Sequence, residues 1–544
     1  VHRWDPLSKD FSFTDPADFA RAHLPTHFFD RYFYAEEVGD SSSLQDKAKE
    51  KFEANILRGW IFNSELSSID DPWLNSVLSE AALICGRVLG ELDHTEVFAE
   101  CGHGPNATTS VRKNDAYLDI KTMDFVGTDA AVETFFEHYL PWDSNLKTEL
   151  GRLLPSPEKV GRGYTIVGGD KLSFVPKKFD SLRTMSVQPT LNLFFQLGTG
   201  RLIQRLLRDF ANIDLTSQPD CHRRLALLAS LYPEIGDATI DWSEASDRIW
   251  LAICERLLPG DWYAWLSMMR VDESIFGEDT YPLPMIGTMG NGFTFPLQTL
   301  IFYSLLRGCA RTEGVREIGI SVFGDDCIVP AVLKSSVERL AIGLGWKINV
   351  DKSYFDGGFR ESCGMDAYRG LACRPFRIER PDDPHHKNSL KSWAYVCYNQ
   401  VAACLESVHA EPSAIWDWLV AFHNELDLGK VLLVPLHFSD ATGIRWSRHK
   451  EIPSEALAPR FDKHGGASFR CLTNDPGRRD AWYVPWYLAA LAQRPLPEDT
   501  WCSHLVGEAS AALIWSKEDQ VEQCPVKRKR YRSRESTVQS WTVT

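Results

Sequence analysis

The chain has 544 residues, 44% hydrophobic and 24% charged, which is ordinary for a globular protein and excludes disorder of the whole chain. At roughly 100–200 residues per domain, this length allows about three or four domains. Lys and Arg number 59 against 74 Asp and Glu, a net charge of −15; this argues against a simple nucleic-acid coat but leaves room for an enzyme with one local basic channel.

The best apolar stretch, Leu297 to Leu306, is short and interrupted by Gln298 and Ser304, so no membrane span is expected. Val1-His-Arg-Trp-Asp5 has no apolar signal core. The 13 Cys are scattered with no Cys-x-x-Cys pair. That pattern argues against a disulfide framework and a structural zinc site, and with no secretory signal it points to a reducing cytosol.

In chain order, the segment up to about Asp46 mixes aromatics with charges and ends in Ser41-Ser42-Ser43, which reads as a loop. From Ala48 to Leu92 the apolar spacing is helical, and Gly102 to Ser110 is a polar loop. Pro155 to Gly163 marks another break. Leu191 to Phe210 reads as a long helix with Leu193, Leu197, Ile203 and Leu207 near one face. Ala238-Thr-Ile240 is a short apolar strand ending at Asp241, followed by a helix with Ile249, Ile253 and Leu257 at four-residue spacing. Gly287 to Gly292 is a glycine loop opening a second helix, with Pro296 in its first turn. Ile318–Phe323 and Cys327–Val329 flank Gly324-Asp325-Asp326, the pattern of a β-hairpin with an acidic turn. Together these predict an α+β sheet with helices packed on it. Trp416, Trp418, Trp482 and Trp486 stand in the last third. Six of the eight residues from Lys527 to Arg534 are basic, which reads as a disordered tail making sequence-independent phosphate contacts.

Two acidic sites sit on apolar strand ends, Asp241 and the pair Asp325-Asp326. A carboxylate there costs free energy unless compensated. Divalent metal is one compensation, and magnesium is commonly held by one or two carboxylates plus substrate phosphates. If strand and hairpin are neighbours, the carboxylates converge, and two ions roughly 3.5–4 Å apart could serve nucleotidyl transfer. The plainer reading is a surface turn, since Gly-Asp-Asp is good turn sequence.

The order of segments favours the first reading. Asp241-x5-Asp247, then Thr288-Met-Gly-Asn-Gly292, then Phe323-Gly-Asp-Asp326, then Lys352 resembles motifs A to D of viral RNA-dependent RNA polymerases. More specifically, the chain resembles the replicase β-subunit of the single-stranded RNA bacteriophages, the leviviruses. Gly104-Pro-Asn-Ala-Thr-Thr-Ser110, Val175-Pro-Lys177, Arg183, Asn192 to Gly198, Met289 to Phe295, Leu300-Ile-Phe302 and Phe359-Arg-Glu-Ser-Cys-Gly364 carry the resemblance, which covers about Gly104 to Gly370.

That resemblance implies a right-handed polymerase fold with a small antiparallel palm sheet. Residues 1–50 would be an N-terminal segment and 51–230 mostly fingers. The palm would occupy 231–370 with a fingers insertion near 260–285, the thumb 371–525 and the basic tail 526–544. Asp241 and Asp325 would bridge two Mg2+ ions (Mn2+ is a possible substitute), with Asp326 helping to hold them or tuning the site. Asp247 would face the incoming ribose beside the small Ser246; its alternative role is charge compensation at a helix N-terminus. Thr288 and Asn291 would bond the sugar or position Asp247, and Gly290 and Gly292 would let backbone approach the template or shape the turn. Lys177, Lys178 and Arg183 fall in the segment resembling motif F and would neutralise the triphosphate. The family pattern is broken at Asp180 and Gln188, where Lys and Glu are expected. Lys352 would donate a proton to pyrophosphate. Arg360, in the segment resembling motif E, would contact RNA. Cys363 is expected to be a packing residue and Cys221-His222 not to hold zinc. The resemblance also implies RNA and NTPs as substrates, host elongation factors Tu and Ts and a small-subunit ribosomal protein as partners, and the host bacterial cytoplasm as location. A reverse transcriptase would carry a bulky aromatic where Ser246 stands, and an inactive RNA-binding relative would be expected to have lost one of the three Asp residues.

Overall fold

The computed structural model describes residues 15–24, 41–122, 124–153, 164–178, 181–233, 236–407, 411–446, 451–461, 467–475 and 532–540. They form two compact units, divided between Ala372 and Cys373. The first holds the described residues from Ser41 to Ala372 and the second holds 15–24 and those from Cys373 onward. Among the described residues, no helix is long and apolar enough to cross a membrane.

The first unit opens on helix α1 (Ser41–Glu65). The serines read as a loop thus begin a helix, whose apolar spacing reaches back to Leu44 just after them. Helix α2 (Pro72–Leu89) follows from strong local signals. Asp71 accepts the N–H groups of Trp73 and Leu74 at 3.0 and 3.2 Å, Pro72 sets the first turn, and Gly90 at φ +62° ends it. After several shorter helices, among them His94–Glu100 and Ser144–Leu153, comes a hairpin of β1 (Asp170–Lys178) and β2 (Ser181–Val187), then helices α3 (Thr190–Ala211) and α4 (Gln218–Leu231). The long helix expected over 191–210 is α3, but its buried face is Leu191, Phe194, Phe195, Leu202, Ile203, Leu206 and Leu207. Leu193 and Leu197 are only half-buried.

Strand β3 (Asp237–Ser243) is longer than the apolar tripeptide in the sequence, so Asp241 lies within it rather than at its end. A single 3-10 turn, Ser246–Arg248, precedes helix α5 (Leu251–Leu257). Strands β4 (Glu273–Phe276) and β5 (Asp279–Pro282) follow. They join β1 and β2 in a sheet of order β2-β1-β4-β5, so the stretch near 260–285 returns to the earlier hairpin.

Helix α6 (Thr294–Thr312) is buried on nearly every side. At its crossing with α2, a Cβ on Gly308 would stand 2.7 Å from the Val77 carbonyl; only glycine permits that approach. The acidic hairpin is β6 (Ser321–Phe323) and β7 (Asp326–Pro330). Its first strand is shorter than the apolar run, and Ile318 is exposed outside it. Helix α7 (Lys334–Gly343) and strand β8 (Lys347–Ile348) complete a sheet of order β8-β3-β7-β6, antiparallel throughout. The strands carrying the acidic residues, β3 and β7, are its two central strands. Side chains alternate along a strand. Ala238, Ile240 and Trp242 therefore share one face, where Trp242 stacks on Phe302 of α6 at 5.3 Å. Thr239 and Asp241 point the other way. A smaller sheet of β9 (Phe359–Ser362), β10 (Met365–Tyr368) and β11 (Leu371–Ala372) closes the unit.

The second unit contains helices α8 (Lys387–Ser407) and α9 (Ser413–Glu425) over a parallel sheet of β12 (Val431–Pro435), β13 (Ile444–Trp446) and β14 (Ala456–Leu457). Trp416 and Trp418 pack against its core. Trp482, Trp486 and the break at 155–163 lie outside the described residues. A second sheet has the order β15 (Arg460–Phe461), β16 (Ala467–Asp475), β17 (Arg532–Ser540). The tail read as disordered therefore contributes a strand, registered with Phe469 opposite Val538. A basic flank hid the alternating, β-branched Thr537 and Val538. Lys527 to Tyr531 lie outside the described residues.

Candidate active site

Antiparallel pairing of β3 with β7 sets Asp241 directly opposite Asp326. Asp325 stands at the tip of the β6–β7 turn, which Gly324 makes possible at φ +61°. A Cβ on Gly324 would meet the Phe295 ring at 2.3 Å, and its N–H donates to Thr299 Oγ1 at 3.0 Å. Helix α6 thus fixes the turn that presents the carboxylate. Asp241 and the adjacent pair Asp325-Asp326, distant from it in sequence, converge through strand register and the hairpin turn.

Their electrostatics reflect that crowding. Asp325 is reachable by solvent, yet the walls around it reduce its hydration; this, and then the charge of Asp241, raises its carboxyl above the ordinary range. Burial, followed by the Asp325 charge, pushes Asp326 up to about 6. Asp326 Oδ2 also accepts the Cys363 N–H at 3.2 Å. Cys363 sits at φ +49°, so its role here is to aim backbone at the carboxylate.

Asn349 and Ser353 bind this cluster and Glu361 pairs with the neighbouring Lys352; the sequence reading did not single them out. Asn349 Nδ2 donates to Asp241 Oδ2 at 2.6 Å, while its N–H donates to the Asp241 carbonyl at 2.8 Å. Ser353 Oγ accepts the Asp241 N–H at 3.1 Å. Glu361 on β9 lies 3.8 Å from Lys352 Nζ, and burial, then Asp366, pushes its carboxyl up to about 7. Their signal was proximity to Lys352 and to the motif-E-like segment, with no chemistry of their own to mark them.

Cations ring the carboxylates. Burial tends to lower Lys352, but Glu361, Asp241, Asp326 and Asp325 outweigh it and raise its pKa, so it stays protonated. Lys177 falls in a bulge between the paired residues Pro176 and Lys178 of β1. A bulge re-aims its extra residue, and here it brings Lys177 under the influence of Arg183, Lys352 and Asp241. Lost hydration, then Arg183 and Lys352, lower the Lys177 pKa. Arg183 in turn acts on Asp325. Lys177, Arg183 and Lys352 therefore share one electrostatic neighbourhood with the acidic cluster. Asp180 lies outside the described residues, as does the side chain of Lys178. Gln188 is buried and donates to Asp170 at 2.7 Å; an amide stands there because a buried carboxylate needs a donor.

Asp247 lies in the 3-10 turn after β3, where burial and then Glu244 push its carboxyl up to about 6. Ser246 Oγ donates to Asp247 Oδ1 at 3.3 Å. Glu244, at φ +58°, pairs with Arg248 at 2.6 Å and Lys51 at 2.7 Å. Thr288 and Asn291 are buried in the glycine loop. Asn291 Oδ1 accepts the Phe293 N–H at 3.0 Å and the Thr288 carbonyl accepts from Thr294 Oγ1 at 3.0 Å. Among the described residues no hydrogen bond joins either of them to Asp247. Gly290 and Gly292 are required by packing within the protein. A Cβ on Gly290 would fall 2.0 Å from the Ser186 carbonyl, and one on Gly292 would fall 2.7 Å from the Leu197 nitrogen.

Arg360 is a correction. It is fully buried, and its guanidinium donates to the carbonyls of Asp237 at 2.7 Å, Gly357 at 2.8 Å and Phe359 at 2.7 Å. With its donors consumed by backbone, it pins β9 to β3 and offers nothing to RNA. His222 is likewise structural, bridging Ser362 Oγ at 2.9 Å and Ser321 Oγ at 3.0 Å. Burial pushes its pKa down to about 4.

Among the described residues, no three acidic, His or Cys side chains are gathered tightly enough to make a ready-made metal cage. Magnesium does not need one, since it keeps waters and binds substrate phosphates. Burial and, after it, mutual repulsion raise two of the three carboxyl pKa values, and a divalent cation fits such a site because it would relieve both costs.

The RNA-directed RNA polymerase subunit beta of Enterobacteria phage SP is 38% identical over 215 residues, covering 39% of this chain and 36% of that protein. The RNA-directed RNA polymerase beta chain of Enterobacteria phage GA is 28% identical over 390 residues, covering 69% of this chain and 68% of that protein. The first relative is thus matched over about a third of its length. Among solved structures, the RNA-dependent RNA polymerase of a human picorbirnavirus aligns over 76% of this chain and 88% of its own, at 14% identity and a TM-score of 0.35. The description "RNA replicase, beta-chain" matches residues 12–396, a span containing both the acidic cluster and its cationic surround, and the chain belongs to that family.

Proposed function

We propose that this chain is an RNA-directed RNA polymerase, replicating a single-stranded RNA phage genome by template-directed nucleotidyl transfer. The observation that carries the reading is the register of β3 with β7, which places Asp241 against Asp326 and beside Asp325, within the field of Lys177, Arg183 and Lys352. In this reading the β8-β3-β7-β6 sheet is the palm, the β2-β1-β4-β5 sheet belongs to the fingers, and the thumb follows β11.

Asp241 and Asp325, with Asp326 assisting, would hold two Mg2+ ions. When bound, such ions lower the pKa of an attacking hydroxyl and offset charge on the phosphate. The chain's own residues account for the rest. Lys177 and Arg183 would neutralise the triphosphate and departing pyrophosphate, where preorganised cations are worth most. Four carboxylates keep Lys352 protonated and also make it a weaker acid; in this reading it is the group that would hand its Nζ proton to the leaving pyrophosphate. Asn349 holds the Asp241 carboxylate, and Asn349 and Ser353 together hold its backbone. Ser246 leaves room beside the ribose, which also disfavours a reverse transcriptase. Host elongation factors Tu and Ts, a small-subunit ribosomal protein and the bacterial cytoplasm complete the proposal by family likeness.

The test is incorporation of NTPs by the purified chain on its genomic RNA, with and without magnesium, and with and without those three host proteins. Magnesium-dependent, template-dependent product supports the reading. No incorporation under any condition, by a folded chain, removes it.

A further inference from the structure

A continuous run of buried polar side chains leads from the outer sheet to the glycine loop. Asp170 begins β1; its Oδ1 accepts from Ser274 Oγ of β4 at 2.6 Å and its Oδ2 from Gln188 Nε2 at 2.7 Å. Gln188 Oε1 accepts from Gln196 Nε2 of α3 at 3.0 Å. Gln196 Nε2 also donates to the Met269 carbonyl at 3.1 Å, and Gln196 Oε1 accepts the Gly292 N–H at 3.2 Å. Asp170, Ser274, Gln188 and Gln196 are all buried, so each unmet bond would carry a full desolvation cost.

The run has a direction. An ionised carboxylate only accepts, so Gln188 must turn its NH2 toward Asp170 and its carbonyl toward Gln196. Gln196 must then present its NH2 to Gln188, which leaves its own carbonyl for the Gly292 N–H. One carboxylate thereby orients two amides and the loop beyond them. The loop is also gripped sterically. Gly290 lies against the Ser186 carbonyl of β2, and a Cβ on Gly200 of α3 would stand 2.5 Å from the Gly292 carbonyl. The Ser186 N–H donates to the Met289 carbonyl at 2.8 Å.

We propose that Gln188 and Gln196 are positioning residues for nucleotide selection, transmitting the orientation of Asp170 to the Gly292 N–H and holding the Thr288–Gly292 loop in place beside the ribose pocket. The proposal rests on the polymerase reading above. It accounts for Gln188 where the family pattern leads one to expect Glu: a carboxylate there would face Asp170 with no donor between them.

A charge swap tests it. Gln188→Glu sets two carboxylates against each other. Asp170→Asn alone can keep its Oδ1 on Gln188 Nε2 while the Ser274 hydroxyl accepts its NH2, so it preserves the run and serves as the control. The double variant Asp170→Asn, Gln188→Glu restores every donor and acceptor at unchanged net charge. Gln188→Glu should raise the NTP KM about tenfold and reduce the ATP over dATP preference by a similar factor, with kcat less affected, while Asp170→Asn and the double variant should stay within about threefold of the parent. Hydrogen exchange of the loop amides from Thr288 to Phe293 should quicken in Gln188→Glu and slow again in the double. A Gln188→Glu variant with parental KM, ribose preference and exchange overturns the proposal, as does a double variant no better than Gln188→Glu alone. If the parent incorporates no nucleotide, the polymerase reading fails, and loop exchange alone still decides whether the relay holds the loop.

Discussion

At the residue scale, function rests on a few charges whose separation the strands dictate. Asp241→Asn and Asp325→Asn keep shape and remove charge, and each should lower synthesis by at least the roughly 10²-fold typical of losing a key electrostatic group. RNA binding should survive, so parallel incorporation and binding assays separate chemistry from affinity. Asp326 carries a stability cost. Its carboxyl is pushed up to about 6, against about 3.9 in an unfolded chain. Between those values the folded state holds more protons, so the stability this group contributes falls as pH rises through the window and stays lost above about 6. In metal-free buffer Asp326→Asn should therefore melt above the parent, by about 2 °C near pH 8 and by less near pH 5. Added magnesium should raise the parent more than the variant, which keeps Asp241 and Asp325. Ribose selection is the third expectation at this scale. Ser246→Phe should block ATP by collision with the 2′-hydroxyl, while Asp247→Ala should slow ATP use without speeding dATP use. Single-nucleotide incorporation by the three proteins checks both.

At the scale of elements, close backbone contacts position the site as much as side chains do. The glycine loop is the clearest case, because Gly290 combines φ +119° with a Cβ position 2.0 Å from the Ser186 carbonyl. Gly290→Ala must displace either the loop or β2, and should cost about 2 kcal/mol or more. Denaturant melting and NTP KM should both move; a variant with parental values in both would mean the loop yields freely. The bulge at Lys177 and the turn at Gly324 act similarly, each converting a backbone irregularity into the aim of one charged group. Arg360 shows the converse. A long cation in a motif-like segment reads as an RNA contact in sequence, yet here it is consumed by the carbonyls of Asp237, Gly357 and Phe359.

At the scale of the whole molecule, the acidic chain carries a dense basic stretch near its C-terminal end, six cations in the eight residues from Lys527 to Arg534. Because Arg532–Ser540 is paired with Ala467–Asp475, truncation after Pro525 would remove a strand as well as charge. Replacing Lys527, Arg528, Lys529 and Arg530 with Ser tests charge alone. That variant should bind RNA more weakly at low salt and show a flatter salt dependence, with an unchanged rate of nucleotide addition. Identical salt titrations would mean these cations do not touch RNA.

Local sequence was enough to reveal the acidic strand, the Gly-Asp-Asp hairpin, the glycine loop and the buried helix after it, because apolar periodicity and turn residues act over a few positions. Their order along the chain was enough to suggest the family. Local sequence could not say that β3 and β7 are central neighbours, which strand register and not composition decides. Nor could it find Asn349, Ser353 and Glu361, ordinary polar residues until folding sets them against Asp241 and Lys352. It assigned Arg360 to RNA and Leu193 to the core face, because a residue's type does not tell which partners will surround it. The strand at Arg532–Ser540 was missed for the same reason. A polar edge gains its stability from a partner segment some sixty residues away, and only tertiary structure supplies that partner.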